Sequence, residues 1–258
     1  MSDCLVSCVC CTYNRKEPLE EAIQCFIDQD YENKELIVLN DQEGVTLKIE
    51  NCPDNIRIYN HPTRFESLGE KRNYIKTLAK GEYFCVWDDD DIYTPIRISK
   101  SMEIFNNNKH IDIVKSEQAL MSVDNKNYRV VNNLFHSQAC VSKKYMDENQ
   151  YPHKSVGEDM EFEHGAKILS IHITPLLFYV YRWGGKGIHH LSGISDEKKS
   201  WDMASIKAEK DGLNGDVILH PHLEQDYWQD ILNFWKSRNS EYGDIWEKEI
   251  IKKVPDKK

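Results

Sequence analysis

The stretch CVWDDDDIYTP, from Cys85 to Pro95, places four consecutive aspartates directly behind an apolar segment. Residues Glu82 to Trp87 have the composition of a buried strand, and Pro95 is suited to the first turn of a helix. That helix carries an apolar stripe made of Ile96, Ile98, Met102 and Phe105. A strand, a polar loop and an amphipathic helix in this order form one unit of an α/β fold.

Similar units precede this stretch. Cys4 to Cys11 is a continuous apolar run, as expected for a parallel strand that is covered on both faces. Further strands are predicted at Glu35–Leu39 and Ile56–Tyr59, and helices are predicted after Arg15 and at Gly69–Lys80. Strands that alternate with helices at this spacing predict an α/β fold with a Rossmann-like, mostly parallel central sheet flanked by helices.

The pattern changes after about residue 110. Strands and helices are then predicted, in chain order, at Asp112–Lys115, Gln118–Val123, Tyr128–Val131, Lys143–Asn149 (helix), Glu158–Leu169 (helix) and Pro175–Arg182, with a glycine-rich loop at Trp183–Gly193 and a helix after Leu223. These elements indicate a small antiparallel part and a C-terminal helical extension. No internal repeat or low-complexity linker is present, so we divide the chain into one domain, 1–195, with halves 1–110 and 111–195, and an extension, 196–258.

Composition excludes several classes of protein. The 258 residues are 40% hydrophobic, which is enough for a substantial core, and the net charge of −10 argues against nucleic-acid or anionic-membrane binding by the whole surface. The N-terminal residues do not have the pattern of a signal peptide, and no stretch approaches the roughly 20 apolar residues of a membrane helix. The eight cysteines lie in apolar, strand-like segments, which predicts reduced thiols and a cytoplasmic protein.

Polar side chains follow three of the predicted strands. The segment Thr12-Tyr13-Asn14-Arg15 follows the first, Asn40-Asp41 follows the second, and the aspartate run follows the strand at Glu82–Trp87. Open α/β sheets bind ligands beyond the carboxyl ends of their strands. We therefore expect a functional site at this edge.

Four adjacent carboxylates at a strand end have three explanations. Asp91 can cap the following helix, or the run can be a solvated acidic turn, or it can hold a divalent cation. A cation is favoured, because oxygen ligands suit Mg²⁺ and Mn²⁺ and the metal charge removes the repulsion between the carboxylates. Strand alternation would put Asp88 and Asp90 on one side and Asp89 and Asp91 on the other, so that a DxD pair reaches a diphosphate through the metal.

Five segments of the chain carry a resemblance to a known family. Thr12-Tyr13-Asn14-Arg15, Leu36 to Asp41, Gly69 to Asn73, Gly81-Glu82-Tyr83 and Asp88 to Pro95 resemble, in this order, the family 2 glycosyltransferases of the GT-A fold. The resemblance covers the first 110 residues well and extends more loosely to about residue 195. It implies an inverting enzyme that moves a sugar from a nucleotide-diphosphate sugar, UDP- or GDP-linked with UDP favoured, to the hydroxyl of an acceptor such as a growing glycan.

The resemblance also implies roles for individual residues. Those that match Thr12, Tyr13, Arg15 and Asp41 hold the base and ribose, and 1–110 becomes the nucleotide-sugar-binding half. Asp88-x-Asp90 matches the DxD, with Asp90 on Mn²⁺ or Mg²⁺ and Asp88 and Asp89 near the donor. Asp159 matches the general base, in an acceptor and catalytic half, 111–195. Asn40 and the fourth acid, Asp91, depart from the common pattern, so the metal ligand among the four aspartates stays open.

Several further residues have two readings each. Lys71 and Arg72 can add positive charge near the phosphates or lie on a solvated helix face. Glu158 can bind the acceptor or simply favour the helix N-terminus. His190 can ligate the metal or be structural, and Trp183 can stack on an acceptor sugar or pack in the core.

Three other functions compete with sugar transfer. A sugar-nucleotide nucleotidyltransferase normally has a glycine-rich basic loop after its first strand, and Thr12 to Lys16 contains no glycine. A phosphatase with an aspartate nucleophile needs a threonine or valine two residues after its DxD, where this chain has Ile92 or Tyr93. A non-catalytic sugar- or cation-binding module stays possible and would have no need of a base.

Overall fold

The computed structural model describes residues 4–183 and 210–253. Its strands are β1 Val6–Thr12, β2 Lys34–Asn40, β3 Val45–Ile49, β4 Ile56–Asn60, β5 Tyr83–Val86, β6 Ile92–Tyr93, β7 Ile113–Ser116, β8 Gln118–Ser122, β9 Tyr128–Asn132, β10 Cys140–Ser142, β11 Ile168–Ile171, β12 Tyr179–Arg182 and β13 Gly215–Leu219. Its helices are α1 Lys16–Ile27, α2 Leu68–Leu78, α3 Arg97–Asn107, α4 Lys143–Glu148, α5 Glu158–Phe162, α6 Tyr227–Arg238 and α7 Ser240–Glu249.

The central sheet has the strand order β11-β7-β10-β5-β1-β2-β4. Neighbouring strands are parallel except at β10, which runs antiparallel to β5 and β7. Apolar residues of α1 and α3 cover one face, and residues of α2, α4 and α5 cover the other. Burial on both faces explains why most residues of β1 and β2 are apolar. The strand order and the helices on both faces confirm the predicted α/β class with a mostly parallel central sheet flanked by helices.

A smaller sheet lies beside the central one, in the order β6-β12-β8-β9. Strand β12 is antiparallel to β6 but parallel to β8, and β8 and β9 form an antiparallel hairpin. The turn of this hairpin is stabilised by Asp124, whose carboxylate accepts hydrogen bonds from the backbone N–H groups of Lys126 and Asn127 at 3.0 and 2.8 Å. The small sheet is thus mixed, where a purely antiparallel one was expected.

The C-terminal region contains the helix predicted after Leu223, a second helix and one strand that was not predicted. Helices α6 and α7 pack through Trp228, Trp235 and Trp246, which are all buried. Strand β13 pairs in parallel with β3, and both strands were missed because each has only five residues and half-exposed faces. The C-terminal region therefore contacts the N-terminal half directly through a sheet.

Two predicted elements end or begin elsewhere. The helix predicted at Glu158–Leu169 ends at Phe162, and Gly165 follows with a φ of 87°, a left-handed conformation that glycine adopts without strain. The apolar residues near Leu169 belong instead to β11, which pairs with β7. The strand predicted from Pro175 begins only at Tyr179, because the preceding residues form tight turns.

The eight cysteines are free thiols. Cys8, Cys85 and Cys140 lie opposite one another on three neighbouring strands and, like Cys10 and Cys25, are buried, whereas Cys52 is exposed. Burial raises the pKa of the Cys10 and Cys25 thiols above its usual range. Within residues 4–183 and 210–253, no helix has both the length and the apolar character needed to cross a membrane.

Candidate active site

Strands β1, β2 and β5 end side by side at the carboxyl edge of the central sheet. Thr12 lies opposite Asn40, whereas the last residue of β5, Val86, lies opposite Val9. Strand β5 therefore ends three residues short of β1, and the chain from Trp87 to Asp91 fills the space beyond its end. We call Asp88 to Asp91 the acidic loop.

Aromatic side chains and a buried arginine anchor the acidic loop. Trp87 is fully buried and donates from its indole N–H to the carbonyl oxygen of Ala22 in α1 at 2.9 Å. The Tyr93 hydroxyl lies 2.6 Å from the backbone nitrogen of Asp88, which donates to it. The guanidinium of Arg97 lies over the rings of Trp87 and Tyr93, with 4.9 and 4.4 Å to the centroids. These contacts fix where the loop leaves the sheet.

Arg15 forms ion pairs with two of the four aspartates. Its Nη1 atom lies 2.7 Å from Asp89 Oδ1 and 2.7 Å from Asp90 Oδ2. Burial opposes the charge of Arg15, but the two carboxylates keep its pKa above the usual range. Burial also raises the pKa of Asp89, and the Arg15 guanidinium opposes that rise. The resemblance had assigned Arg15 to the base and ribose, whereas in this structure its guanidinium contacts the acidic loop.

The predicted alternation of the aspartates is wrong. Asp89 and Asp90 face the same cation, because the strand ends at Val86 and its two-residue period does not continue into the loop. Asp91 points away and accepts a hydrogen bond from the backbone N–H of Arg182 at 3.0 Å. Asp88 is the most exposed of the four and lies 3.3 Å from Arg72 Nη2.

Lys71 and Asp41 form a buried ion pair beside the end of β1. Lys71 Nζ donates to Asp41 Oδ1 at 2.5 Å and to the carbonyl oxygen of Thr12 at 2.6 Å. The other Asp41 oxygen accepts a hydrogen bond from the backbone N–H of Phe65 at 3.1 Å. Lys71 is only 2% exposed, so it does not lie on a solvated helix face and its charge is used to hold Asp41. Lys71 thus positions Asp41, and its proposed role beside the phosphates stays a prediction.

Tyr13 lies at the mouth of the same edge. The Arg64 guanidinium stacks on its ring, 4.1 Å from the centroid. Asn14 has a φ of 53° and donates through its side chain to Asp211 Oδ2 at 2.8 Å. The left-handed conformation at Asn14, one that asparagine tolerates, turns the chain sharply between β1 and α1. Thr12 and Tyr13 thus lie at the end of β1, and their role in holding the base and ribose stays a prediction.

Glu158 and Arg72 meet on the other side of the acidic loop. Glu158 is buried, and its Oε1 atom lies 3.4 Å from Arg72 Nε, an ion-pair contact rather than a hydrogen bond. Burial raises the pKa of Glu158 to about 7, Arg72 opposes the rise and Asp159 reinforces it. Arg72 is thus placed between Asp88 and Glu158 and is not a solvated surface residue.

Asp159 is half-exposed at the first turn of α5, directly after Glu158. Gly157, with a φ of 71°, turns the chain into this helix. The two acids at the start of this helix differ in exposure. Glu158 is buried and held by Arg72, whereas Asp159 is accessible to a ligand. The base role of Asp159 stays a prediction.

A buried polar network behind α5 was not predicted. His136 Nδ1 lies 2.6 Å from Glu163 Oε1, and His136 Nε2 lies 2.9 Å from the hydroxyl of Tyr151. Lys115 Nζ donates to Glu163 Oε2 at 2.6 Å. Burial lowers the pKa of His136, so the neutral imidazole donates from Nδ1 to Glu163 and accepts from Tyr151. The Tyr151 ring faces Arg72 at 5.8 Å, which connects this network to the site.

A second buried network joins the acidic loop to the C-terminal region. Arg182 Nε donates to the carbonyl oxygen of Asp90 at 2.6 Å, and its Nη1 atom pairs with Glu21 of α1. The Tyr227 hydroxyl of α6 donates to Glu21 Oε1 at 2.9 Å. Arg182 and Glu21 were read only as parts of a strand and a helix. The charge of Arg182 in a mostly apolar strand could have indicated this network, since a buried charged residue needs a buried partner.

The side chains of the acidic loop fit a divalent cation with few protein ligands. Within the described ranges no three His, Cys, Asp or Glu side chains converge as a complete metal cage. Mg²⁺ sites commonly use one or two carboxylates and complete their shell with phosphate and water oxygens. Asp89 Oδ2 is buried and has no hydrogen-bond partner among the described residues, so the loop has an oxygen in need of a positive charge.

Two further predicted residues lie toward the edge of the described region. Trp183 is 38% exposed at the end of β12, so the reading as a core tryptophan is wrong. His190, predicted to ligate the metal, and the glycine-rich loop after Trp183 lie outside the described residues.

Known proteins resemble this chain in sequence and in fold. The sequence model of glycosyl transferase family 2 matches residues 7–159, more than half of the chain. An uncharacterised glycosyltransferase of Haemophilus influenzae is 32% identical over 125 residues, covering 45% of this chain and 38% of its own length. One of Rickettsia felis is 35% identical over 106 residues, covering 40% of this chain and 17% of its own. The chain thus spans less than half the length of these relatives.

Solved structures share the fold at low sequence identity. TarS 1–349 of S. aureus, in complex with UDP-GlcNAc, superposes with a TM-score of 0.56 at 15% identity, over 97% of this chain and 82% of that one. The mannosyltransferase PcManGT of Pyrobaculum calidifontis, in complex with GDP-Man and Mn²⁺, gives 0.51 at 13% identity, over 80% and 64%. These structures support the fold, and the sequence match supports the family: the chain belongs to glycosyl transferase family 2.

Proposed function

We propose that this protein transfers a sugar from a nucleotide-diphosphate sugar to the hydroxyl of an acceptor, with inversion at the transferred carbon. The observation that carries the proposal is the buried acidic loop at the carboxyl edge of the central sheet, next to Thr12 and Tyr13 in a chain that belongs to this family. Ligands bind at this edge of open α/β sheets. A non-catalytic module would have no need of an accessible acid such as Asp159 at the start of α5.

The donor is proposed to be a UDP-sugar. TarS was crystallised with UDP and with UDP-GlcNAc, and it covers more of this chain than the GDP-mannose complex of PcManGT does. Asp41 is held rigidly by Lys71 and the Phe65 N–H, which suits a carboxylate that reads a base or ribose. Tyr13, with Arg64 stacked on it, offers an aromatic surface beside that carboxylate.

Asp90 and Asp88 are the proposed ligands of Mn²⁺ or Mg²⁺. When bound, the metal would neutralise the charge that develops on the departing diphosphate. Arg15 holds Asp89 and Asp90 together and Arg72 holds Asp88, so the loop keeps its shape without a donor. Both guanidiniums also contribute positive potential where the diphosphate is expected to bind.

Asp159 is the proposed general base. An inverting transfer needs a base within hydrogen-bond reach of the acceptor hydroxyl, on the side of the sugar opposite the leaving group. Half-exposed at the start of α5, Asp159 is open to such a hydroxyl, whereas Glu158 is buried against Arg72. We assign Glu158 to the acceptor side as a group that positions Arg72 and Asp159.

A donor panel tests the proposal. The purified protein is incubated with UDP-, GDP- and CDP-linked sugars, with and without Mn²⁺, and release of the nucleoside diphosphate and shifts of the melting temperature are measured. We expect one nucleotide class to raise the melting temperature in the presence of Mn²⁺ and to be hydrolysed slowly. Formation of a nucleoside triphosphate and a sugar 1-phosphate when pyrophosphate is added to the sugar nucleotide would instead indicate a nucleotidyltransferase, and stabilisation by free sugars alone would indicate a binding module.

A further inference from the structure

Arg72 contacts two carboxylates that belong to different parts of the site. Its Nη2 atom lies 3.3 Å from Asp88 Oδ1, and its Nε atom lies 3.4 Å from Glu158 Oε1. Both contacts are single and long, whereas a carboxylate orients a guanidinium best through two short parallel hydrogen bonds. The two carboxylates therefore attract Arg72 without fixing the plane of its guanidinium, and that plane has to be set by another group.

The aromatic ring of Tyr151 lies against this guanidinium. The Arg72 Cζ atom is 5.8 Å from the ring centroid, within the roughly 6 Å over which the face of an aromatic ring attracts a cation. The side chain of Arg72 is 10% exposed and Tyr151 is 3% exposed, so little water competes for the contact. The ring thus offers a flat surface on which the planar guanidinium rests.

Tyr151 is itself held from three directions. Asn73, next to Arg72 in α2, donates to the Tyr151 carbonyl oxygen at 2.7 Å and accepts from the Tyr151 backbone N–H at 2.9 Å. The ring stacks on Phe162, with 3.9 Å between the centroids and 10° between the planes. The hydroxyl donates to His136 Nε2 at 2.9 Å. A side chain held in this way keeps its place and can orient a group that rests on it.

These contacts make Tyr151 a link between two helices of the site. Helix α2 carries Arg72 and Asn73, whereas α5 begins at Glu158 and ends at Phe162. Because Tyr151 is hydrogen-bonded to Asn73 and stacked on Phe162, it fixes α2 relative to α5. The distance between Arg72 and Glu158 depends on this arrangement.

We propose that Tyr151 is a positioning residue of the active site, whose ring holds the Arg72 guanidinium between Asp88 of the acidic loop and Glu158 of α5. The inference rests on the proposed function, since sugar transfer is the reaction that uses this arrangement. Replacing the ring with an aliphatic side chain removes the support, so Arg72 loses its contact with Glu158. Tyr151→Phe keeps the ring and should keep Arg72 in place.

The titration of Glu158 reports where Arg72 lies, and it requires no enzymatic activity. Arg72 of α2, Asp88 of the acidic loop, Asp159 of α5 and Tyr151 are the titratable or charged groups that face Glu158. Among them only Arg72 lowers the pKa of Glu158. The measurement is a pH titration by ¹³C NMR of the full chain labelled at the glutamate carboxyl carbons, with the resonance assigned by its absence in Glu158→Gln.

We expect the midpoint for Glu158 to rise in Tyr151→Leu by about one pH unit above the wild-type value of about 7, because the cation that opposes the effect of burial has moved away. In Tyr151→Phe the midpoint should stay near that of wild type. Entry of water around Glu158 would lower the midpoint instead. An unchanged or lowered midpoint in Tyr151→Leu would therefore overturn the proposal. If Tyr151→Leu does not fold, Tyr151→Met replaces it, because methionine adapts to an irregular space.

Tyr145→Leu is the matched control. Tyr145 is also buried, its ring is 5.4 Å from that of Phe162, and its hydroxyl donates to the Phe162 carbonyl oxygen at 2.7 Å. In the part of the chain that the structure describes, it has no contact with Arg72. Tyr145→Leu should lower the melting temperature and leave the midpoint for Glu158 unchanged. In an Arg72→Gln background, Tyr151→Leu should cause no further shift. Equal shifts in both leucine variants would indicate a merely structural role.

The outcomes separate this inference from the proposed function. With an active donor, kcat for transfer should fall several-fold in Tyr151→Leu and be largely restored in Tyr151→Phe. If the wild type turns over no donor while the midpoint for Glu158 follows the ring at position 151, the proposed function fails and the role of Tyr151 in holding Arg72 stands. If transfer is observed while the midpoint does not depend on the ring, the reverse holds.

Discussion

Asp89 and Asp90 share one guanidinium, so the acidic loop contains its own counter-ion. Arg15 lies 2.7 Å from an oxygen of each, which explains how two buried carboxylates stay adjacent in a folded chain. A metal bound at Asp90 would meet a carboxylate whose position is already fixed. Preformed geometry of this kind lowers the cost of assembling the site when the donor arrives.

Removal of Asp90 is predicted to abolish metal-dependent donor hydrolysis and transfer. The Asp90→Ala variant loses a proposed ligand and one of the two carboxylates that hold Arg15. Release of nucleoside diphosphate, measured over a titration of Mn²⁺, should fall by about a hundredfold or more. Asp147→Ala serves as control, since Asp147 is an exposed partner of Lys143 on α4. Near-normal rates of Asp90→Ala in excess Mn²⁺ would refute the metal assignment.

Glu158 gives the transfer reaction a predicted pH dependence. Its pKa is raised to about 7 by burial, so the carboxylate that pairs with Arg72 forms only as the pH rises through that value. The rate of transfer should therefore increase through about pH 7, and this limb should be absent in Glu158→Gln. In contrast, Asp159→Asn should keep donor binding and lose transfer at every pH. If the increase of the transfer rate through about pH 7 persists in Glu158→Gln, a group other than Glu158 is responsible for it.

The same residue makes stability depend on pH. In the unfolded chain Glu158 titrates near its ordinary value of 4.5, whereas in the folded chain it titrates at about 7. Between these values the folded state binds more protons, so the free energy of unfolding decreases as the pH rises. Urea denaturation at about pH 5 and about pH 8 measures this change. Between these two pH values the free energy of unfolding should decrease less for Glu158→Gln than for wild type.

At the scale of elements, α5 is short and depends on its C-terminal contacts. It has five residues, too few for a stable isolated helix, and Glu163 directly after it is held by His136 and Lys115. These hydrogen bonds keep the pKa of Glu163 below its usual range even though burial opposes the charge. The position of Glu158 and Asp159 therefore depends on a residue at the opposite end of the helix.

The Glu163→Gln variant is predicted to lower kcat for transfer several-fold while the KM for the donor changes little. Loss of the charge weakens the bonds from His136 and Lys115 and should cost about 1 to 3 kcal/mol of stability. Glu161→Gln is a matched control on the same helix, because Glu161 pairs with Lys154 on the surface. An equal effect of both variants on kcat would contradict a positioning role for Glu163.

The strands of the central sheet were predictable because burial on both faces requires a run of mostly apolar residues, which is visible in the sequence. Strands β1 and β2 are buried on both faces, so most of their residues are apolar and do not alternate with polar ones. The aspartates could be recognised as a site for the same reason, since charge directly behind such a strand is unusual. The end of α5 was not predictable in this way, because the apolar residues of β11 continue the helical spacing and only the contacts with β7 make them a strand.

At the scale of the whole molecule, the C-terminal region is built into the N-terminal half. Strand β13 extends β3, the His220 N–H donates to Glu20 at 2.7 Å, and Tyr227 contacts Glu21. Pairings between such distant segments leave no local pattern, so the sequence predicted a helix that packs on the body of the protein but not the pairing of β13 with β3. We expect the acidic loop and the C-terminal region to unfold together.

Arg182 tests that coupling. Arg182→Met leaves Glu21 buried without its cation and should destabilise the chain by about 3 to 5 kcal/mol. The double variant with Glu21→Met removes both charges and should recover part of this loss, measured by urea denaturation. Stabilisation by the nucleotide should not recover, because the contact with Asp90 is absent in both variants. Full recovery of nucleotide binding in the double variant would show that the loop does not depend on Arg182.

The row of thiols across β1, β5 and β10 allows the opening of the central sheet to be followed by cysteine alkylation. An alkylating reagent in the surrounding solution meets Cys52 at once, whereas Cys8, Cys85 and Cys140 react only after the strands separate. The rate at which the alkylated mass of these buried cysteines appears therefore reports the rate at which the core opens. No probe has to be added to the chain for this measurement.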